Sequence, residues 1–255
     1  MARRPFRVVI PTQPDPLNTL GNNIITKHIA DGAASPIPAA TATSLTSKLT
    51  EADAQNTLQK NLDEVKEKHT EDRNLRLGIH VTQSTITENT VLYFVTSIRD
   101  FLLGHFRGNE RKLGDWGYVV NSPKGKVQVI IPGNPEKLIK LGQAILRKHE
   151  EDDEDSILAS FDMAAMTTLV SAADTHNAQA EKANRDKEKA TQARNLALGT
   201  AKGQNRKTVG TATYHICSIR DILLGINRGK EQQLGDWGFT VNFNSTPATL
   251  PPPAP

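Results

Sequence analysis

The chain contains few cysteines and aromatic residues and no long apolar segment. Cys217 is its only cysteine, which excludes an intrachain disulfide. No apolar run reaches the ~18 residues that a membrane-spanning helix needs. We therefore expect no membrane span and, by default, a cytoplasmic protein, with leaderless export left open. The net charge of +3 at pH 7 is small, so charge alone does not demand a nucleic-acid partner.

Familiar catalytic and cofactor-binding motifs are also missing. The chain has no HExxH, CxxC or GxSxG pattern, no GxGxxG in a suitable context, and no phosphate-binding GxxxxGK[ST] loop. Only His28 and His149 recur at equivalent positions, each near the predicted end of a helix, where an imidazolium is favourable. Because a metal site needs several ligands at suitable spacing, we predict no metal, no cofactor and no enzymatic activity.

Internal repetition is the dominant feature of the chain. The segment Ser97–Asn121, SIRDFLLGHFRGNERKLGDWGYVVN, recurs as Ser218–Asn242, SIRDILLGINRGKEQQLGDWGFTVN. Its two tryptophans, Trp116 and Trp237, lie 121 residues apart, and matches at the same offset extend far upstream. A period of this length is typical of a domain rather than of a solenoid repeat. We predict repeat units at 1–125 and 126–246, followed by a proline-rich tail at 247–255.

Each unit is predicted to contain a strand, a helix, a long helix, a third helix and a second strand. Short β-branched runs indicate the first strands, prolines mark the starts of the first helices, and apolar residues at helical spacing indicate the longer helices. The predicted long and third helices are Ala42–Leu77, Thr87–Phe106, Ile157–Leu198 and Thr208–Asn227.

The centre of the chain predicts a β-hairpin that joins the two units. Trp116–Asn121 alternates in polarity, a Ser-Pro-Lys-Gly-Lys turn follows, and Val127–Ile131 is β-branched. By contrast, Phe6–Ile10 and Phe239–Phe243 have no partner across a tight turn. These two strands pair with each other, pair with the hairpin, or remain edges for another chain. The predicted fold is mainly α, a tandem duplication forming a pseudo-twofold antiparallel helix bundle, with its four strands in one small antiparallel sheet at one end.

Repeated charged and aromatic residues are the candidates for a site. The Arg-Asp pairs within the apolar third helices either line a site between the units or anchor the helix through carbonyls or through Asp115 and Asp236. Each Gly-Asp-Trp-Gly segment is either a core plug or a platform for stacking a sugar or nucleotide. The structural and interface candidates are Arg99, Asp100, Asp115, Trp116, Arg220, Asp221, Asp236 and Trp237.

The leading functional hypothesis is a non-catalytic structural or self-assembling protein. We expect a homo-oligomer or filament joined through the edge strands Phe6–Ile10 and Phe239–Phe243. A second hypothesis is a nucleic-acid or polyanion-binding module, whose candidate cations are Lys182–Lys189, Arg194 and Lys202–Lys207. A third hypothesis is an enzyme with a site between the two units near Arg99 and Arg220.

Overall fold

The computed structural model describes residues 6–79, 86–121 and 127–243, and within these the chain is mainly helical. The predicted hairpin turn at 122–126 and the proline-rich tail at 247–255 lie outside the described residues. The α-helices are α1 Pro14–Asp31, α2 Ala39–Leu77, α3 Val91–His105, α4 Pro135–Asp152, α5 Met163–Leu198 and α6 Ala212–Ile226. The strands are β1 Phe6–Val9, β2 Val119–Asn121, β3 Gln128–Ile130 and β4 Thr240–Phe243. Short 3₁₀ helices are present at Gly32–Ala34, Glu110–Trp116, Asp153–Asp155 and Glu231–Trp237.

The chain divides into two compact units. Unit one consists of residues 1–60 and 187–255, and unit two consists of residues 61–186. Each unit therefore contains residues from both sequence repeats. Each also has its own apolar core, which in unit one includes Leu17, Leu45 and Ile219, and in unit two includes Ile98 and Leu138.

The helices begin and end where local sequence supplies a cap or a break. Pro14 occupies the first turn of α1, as predicted, and Gly32 ends this helix with a φ of 52°. Helix α3 begins four residues later than predicted because the hydroxyl of Thr90 accepts a hydrogen bond from the Tyr93 amide. Thr211 caps α6 in the same way.

Helix α5 begins later than the sequence predicts. The apolar residues at its predicted start, Ile157 and Leu158, belong to turns instead, and Leu158 is fully buried there. The carboxylate of Asp162 then accepts a hydrogen bond from the Ala165 amide at 2.9 Å, which caps the first turn of the helix. Apolar residues alone therefore did not distinguish a buried turn from helix.

The strands form two separate two-stranded sheets, so the prediction of one four-stranded sheet is wrong. Strand β2 pairs antiparallel with β3, which confirms the central hairpin pairing, and β1 pairs antiparallel with β4. Each pair covers a different core: Val8 and Val241 pack in unit one, whereas Val120 and Val129 pack in unit two. Because each strand pair buries one face against a different core, the register and position of each pair are fixed separately.

Candidate functional site

The Arg-Asp pairs are local surface ion pairs. Arg99 contacts Asp100 at 2.7 Å between Nη2 and Oδ1, and Arg220 makes the same contact with Asp221. Both aspartates are largely exposed, and an exposed pair of this kind contributes at most about 1 kcal/mol to stability. Each arginine pairs with its sequence neighbour, which favours a structural interpretation.

The two tryptophans are core residues. Trp116 is 2% exposed and Trp237 is 6% exposed, and each ends a 3₁₀ helix rather than lying in a strand. The aspartates before them, Asp115 and Asp236, are exposed. Because a stacking platform must present its ring to a ligand, this burial supports the core-plug interpretation.

A sharp corner follows Trp116. Gly117 has a φ of 86°, which glycine adopts without steric cost. A Cβ atom at this position would lie 2.6 Å from the Cβ of Ala144 on α4. The corner therefore brings the start of β2 against α4 more closely than any other residue type allows.

Tyr118 anchors this corner to α3. Its side chain is 3% exposed, and its hydroxyl donates a hydrogen bond of 2.6 Å to the carbonyl of Val95. Burial raises the pKa of the Tyr118 hydroxyl well above its usual range. The neutral, hydrogen-bonded form is therefore the one compatible with the folded state.

An apolar groove opens beside the β2–β3 pair in unit two. It has a volume of about 550 Å³, and Val119, Ile130, Pro132 and Leu141 contribute apolar side chains to its lining. Lys137 and Lys140 also line it, near the start of α4. The groove is therefore an apolar surface bordered by two lysines, and the described residues of its lining contain no acid–base pair.

The outward face of the β2–β3 pair continues this apolar surface. Val119 and Ile130 are direct register partners, and they are 58% and 44% exposed. Both strands alternate exposed, half-buried, exposed, and their central residues, Val120 and Val129, pack on the core. The alternation of Trp116–Asn121 predicted one face with Trp116, Tyr118 and Val120, but it could not show that the opposite face is left uncovered.

A second cluster joins α2 and α5 within unit two. The Nδ1 atoms of His69 and His176 lie 3.2 Å apart, and one ligand atom from each of these residues and from Asp72 lies within 4.8 Å of the others. All three residues are half-buried. Neither histidine recurs at the repeat offset, so the repeat pattern did not indicate a role for them.

The basic residues considered for polyanion binding have acidic or polar partners in several places. Arg194 pairs with Asp15, and Arg185 lies 3.7 Å from Glu181 on the same helix. Such neighbours reduce the local positive potential available to a polyanion. Nucleic-acid binding stays a prediction from the sequence.

Comparison of the chain with protein-family models, with curated proteins and with solved structures finds no match. Among the described residues, no helix combines the length and the apolar character needed to cross a bilayer.

Proposed function

We propose that this protein is a non-catalytic assembly protein, and that two copies associate through the exposed face of the β2–β3 pair. The observation that carries the proposal is the uncovered cross-strand pair of Val119 and Ile130 beside an apolar groove. Contiguous exposed apolar surface of this kind marks interaction sites in soluble proteins.

The size of the β2–β3 pair favours a second copy as the occupant. Two strands of three residues form a sheet that is marginal in water, so a partner packed on its open face would stabilise it. Packing of this face on the same face of a second copy would cover Val119 and Ile130 in both chains. A symmetric contact of this type closes a dimer rather than starting a filament.

The terminal strands are a weaker candidate for this contact. Phe6–Val9 pairs with Thr240–Phe243 inside the chain, one of the arrangements that the sequence left open. At the position of this pair equivalent to Val119 the chain has Thr240, which is exposed but polar.

We also infer that the chain arose by duplication and that its halves are related by a pseudo-twofold axis. Local geometry recurs at the 121-residue offset: Gly117 and Gly238 have φ angles of 86° and 85°. The imidazole Nδ1 of His28 lies 2.6 Å from the hydroxyl of Ser35, and that of His149 lies 2.5 Å from the hydroxyl of Ser156. These recurring contacts are structural, which supports a function based on assembly rather than on catalysis.

Native mass measured by light scattering tests the assembly proposal. We expect wild type to be a dimer at tens of micromolar concentration and the double variant Val119→Lys/Ile130→Lys to be a folded monomer. Thr240→Lys is the control, because it places a lysine at the position of the β1–β4 pair equivalent to Val119, and it should remain dimeric. A monomeric wild type, or dissociation by Thr240→Lys alone, would overturn the proposed surface.

A further inference from the structure

We propose that His69, Asp72 and His176 form a binding site for a divalent transition-metal ion of the Zn²⁺ class. The site bridges α2 and α5 within unit two. Metal sites in helical bundles are commonly built this way, from inward side chains on facing helices. Two imidazoles and one carboxylate are a donor set suited to zinc and its neighbours.

The position of each residue on its helix explains why the three donors converge. His69 and Asp72 are three residues apart on α2, so they share one face of that helix. Two hydrogen bonds join the same helices close to the cluster, Lys66 to Asn184 and Arg73 to Asn177. Because the higher-numbered residue of α2 bonds the lower-numbered residue of α5, the helices run antiparallel here, and the contact between the two imidazoles places His176 beside His69.

The distance between the two imidazoles fits coordination of one ion. With zinc–nitrogen bonds of about 2.0–2.1 Å and a tetrahedral angle, two ligand nitrogens lie about 3.3 Å apart. The Nδ1 atoms of His69 and His176 are 3.2 Å apart and share a hydrogen bond, which a bound ion would replace. The Asp72 carboxylate, within 4.8 Å, reaches the same ion after a small side-chain movement. Three protein donors leave a fourth position for water.

Packing alone does not require this cluster. At the repeat offset the corresponding residues are Ala190, Ala193 and Gln55, all in unit one, and Ala190 is buried. These long helices are therefore compatible with alanine and glutamine where unit two has histidine and aspartate. The donor set is a specific feature of unit two rather than a shared structural feature of both repeats.

Titration of the full-length chain with ZnCl₂, after removal of any affinity tag, tests the site. Calorimetry should show one high-affinity ion per chain, and the thermal unfolding midpoint should rise with zinc because the ion binds the folded state. The variants His69→Ala and His176→Gln install the residue types found at the equivalent positions in unit one. Since loss of a residue that only orients a ligand costs 10–100-fold, removing a ligand itself should lower zinc affinity by at least about 100-fold.

His105→Ala is the control, because it removes an exposed histidine outside the cluster and should leave zinc affinity unchanged. Circular dichroism verifies that each variant is folded. If one histidine variant does not fold, the other decides the result, and Asp72→Asn provides a third, milder reduction in affinity. The proposal is overturned if wild type binds no zinc, or if folded His176→Gln binds it as wild type does.

Discussion

Substituting alanine for Gly117 should destabilise the protein far more than the same change at Gly108. Both glycines have a φ of 86°, so alanine meets the same left-handed backbone at each position. This conformation costs a non-glycine residue roughly 1–2 kcal/mol. Alanine recovers about 0.4–1 kcal/mol by restricting the unfolded chain. We therefore expect Gly108→Ala, where the new Cβ meets nothing within 4 Å, to cost about 1 kcal/mol.

Gly117→Ala adds a steric penalty to this backbone cost. Its Cβ would lie 2.6 Å from the Cβ of Ala144, an atom fixed to the backbone of α4. Overpacking of this kind typically costs about 1–3 kcal/mol. The expected loss in the free energy of unfolding is therefore about 2–4 kcal/mol, measured by urea denaturation with circular dichroism as the probe.

A double-mutant cycle separates the two contributions at Gly117. Ala144→Gly removes the opposing methyl group and by itself costs roughly 1 kcal/mol through lower helix propensity. Combined with Gly117→Ala, it should relieve the clash and show a coupling energy of about 1–3 kcal/mol. A coupling energy near zero, or equal losses for Gly117→Ala and Gly108→Ala, would refute the close approach of this corner to α4.

Three further predictions concern unit two. Tyr118→Phe removes the side-chain donor to the Val95 carbonyl, which keeps its helical partner in α3, and should lower the free energy of unfolding by about 0.5–1.5 kcal/mol, as urea titration at pH 7 will show. Because burial raises the pKa of the Tyr118 hydroxyl, which donates to Val95 only when neutral, its contribution to the free energy of unfolding is complete below the ordinary tyrosine pKa of about 10 and declines as the pH rises above it. Wild type should therefore lose stability more steeply than Tyr118→Phe between about pH 9 and 11, and parallel profiles would contradict this. Leu102→Ala removes a fully buried side chain and should cost about 2–5 kcal/mol; a loss below 1 kcal/mol in calorimetry would contradict its core position. Thr90→Ala removes the cap that accepts from Tyr93 and should lower stability by about 1 kcal/mol, whereas Thr90→Ser should retain most of it.

Local sequence signals predicted the helices and the central strand pairing well. Prolines, capping residues and apolar spacing are short-range features, so they identify elements such as α1 and the pairing of β2 with β3. The late start of α5 was missed because Leu158 is buried in a turn, where its apolar character mimics helix. The prediction of a single sheet was wrong because alternation in the sequence indicates which face of a strand is buried but not which core that face covers.

The candidate sites depended on contacts between distant parts of the chain. His69 and His176 are on different helices, and no motif spacing links them. Alternation placed Val119 on the face opposite Tyr118, but only the packed structure shows which face stays exposed. Duplication emphasised residues shared by both repeats, and these are core residues such as Trp116 or members of surface ion pairs such as Asp100. The proposed sites lie instead at positions where the repeats differ.

The pairing of β1 with β4 constrains how the chain folds during synthesis. Phe6 and Phe243 are register partners, so the first described strand must wait until nearly all of the described chain has left the ribosome. Unit two, by contrast, is one continuous segment, 61–186, and can fold as soon as its last helix emerges. The nascent polypeptide should therefore acquire protease resistance first in unit two and last at β1, although β1 is synthesised before the other strands.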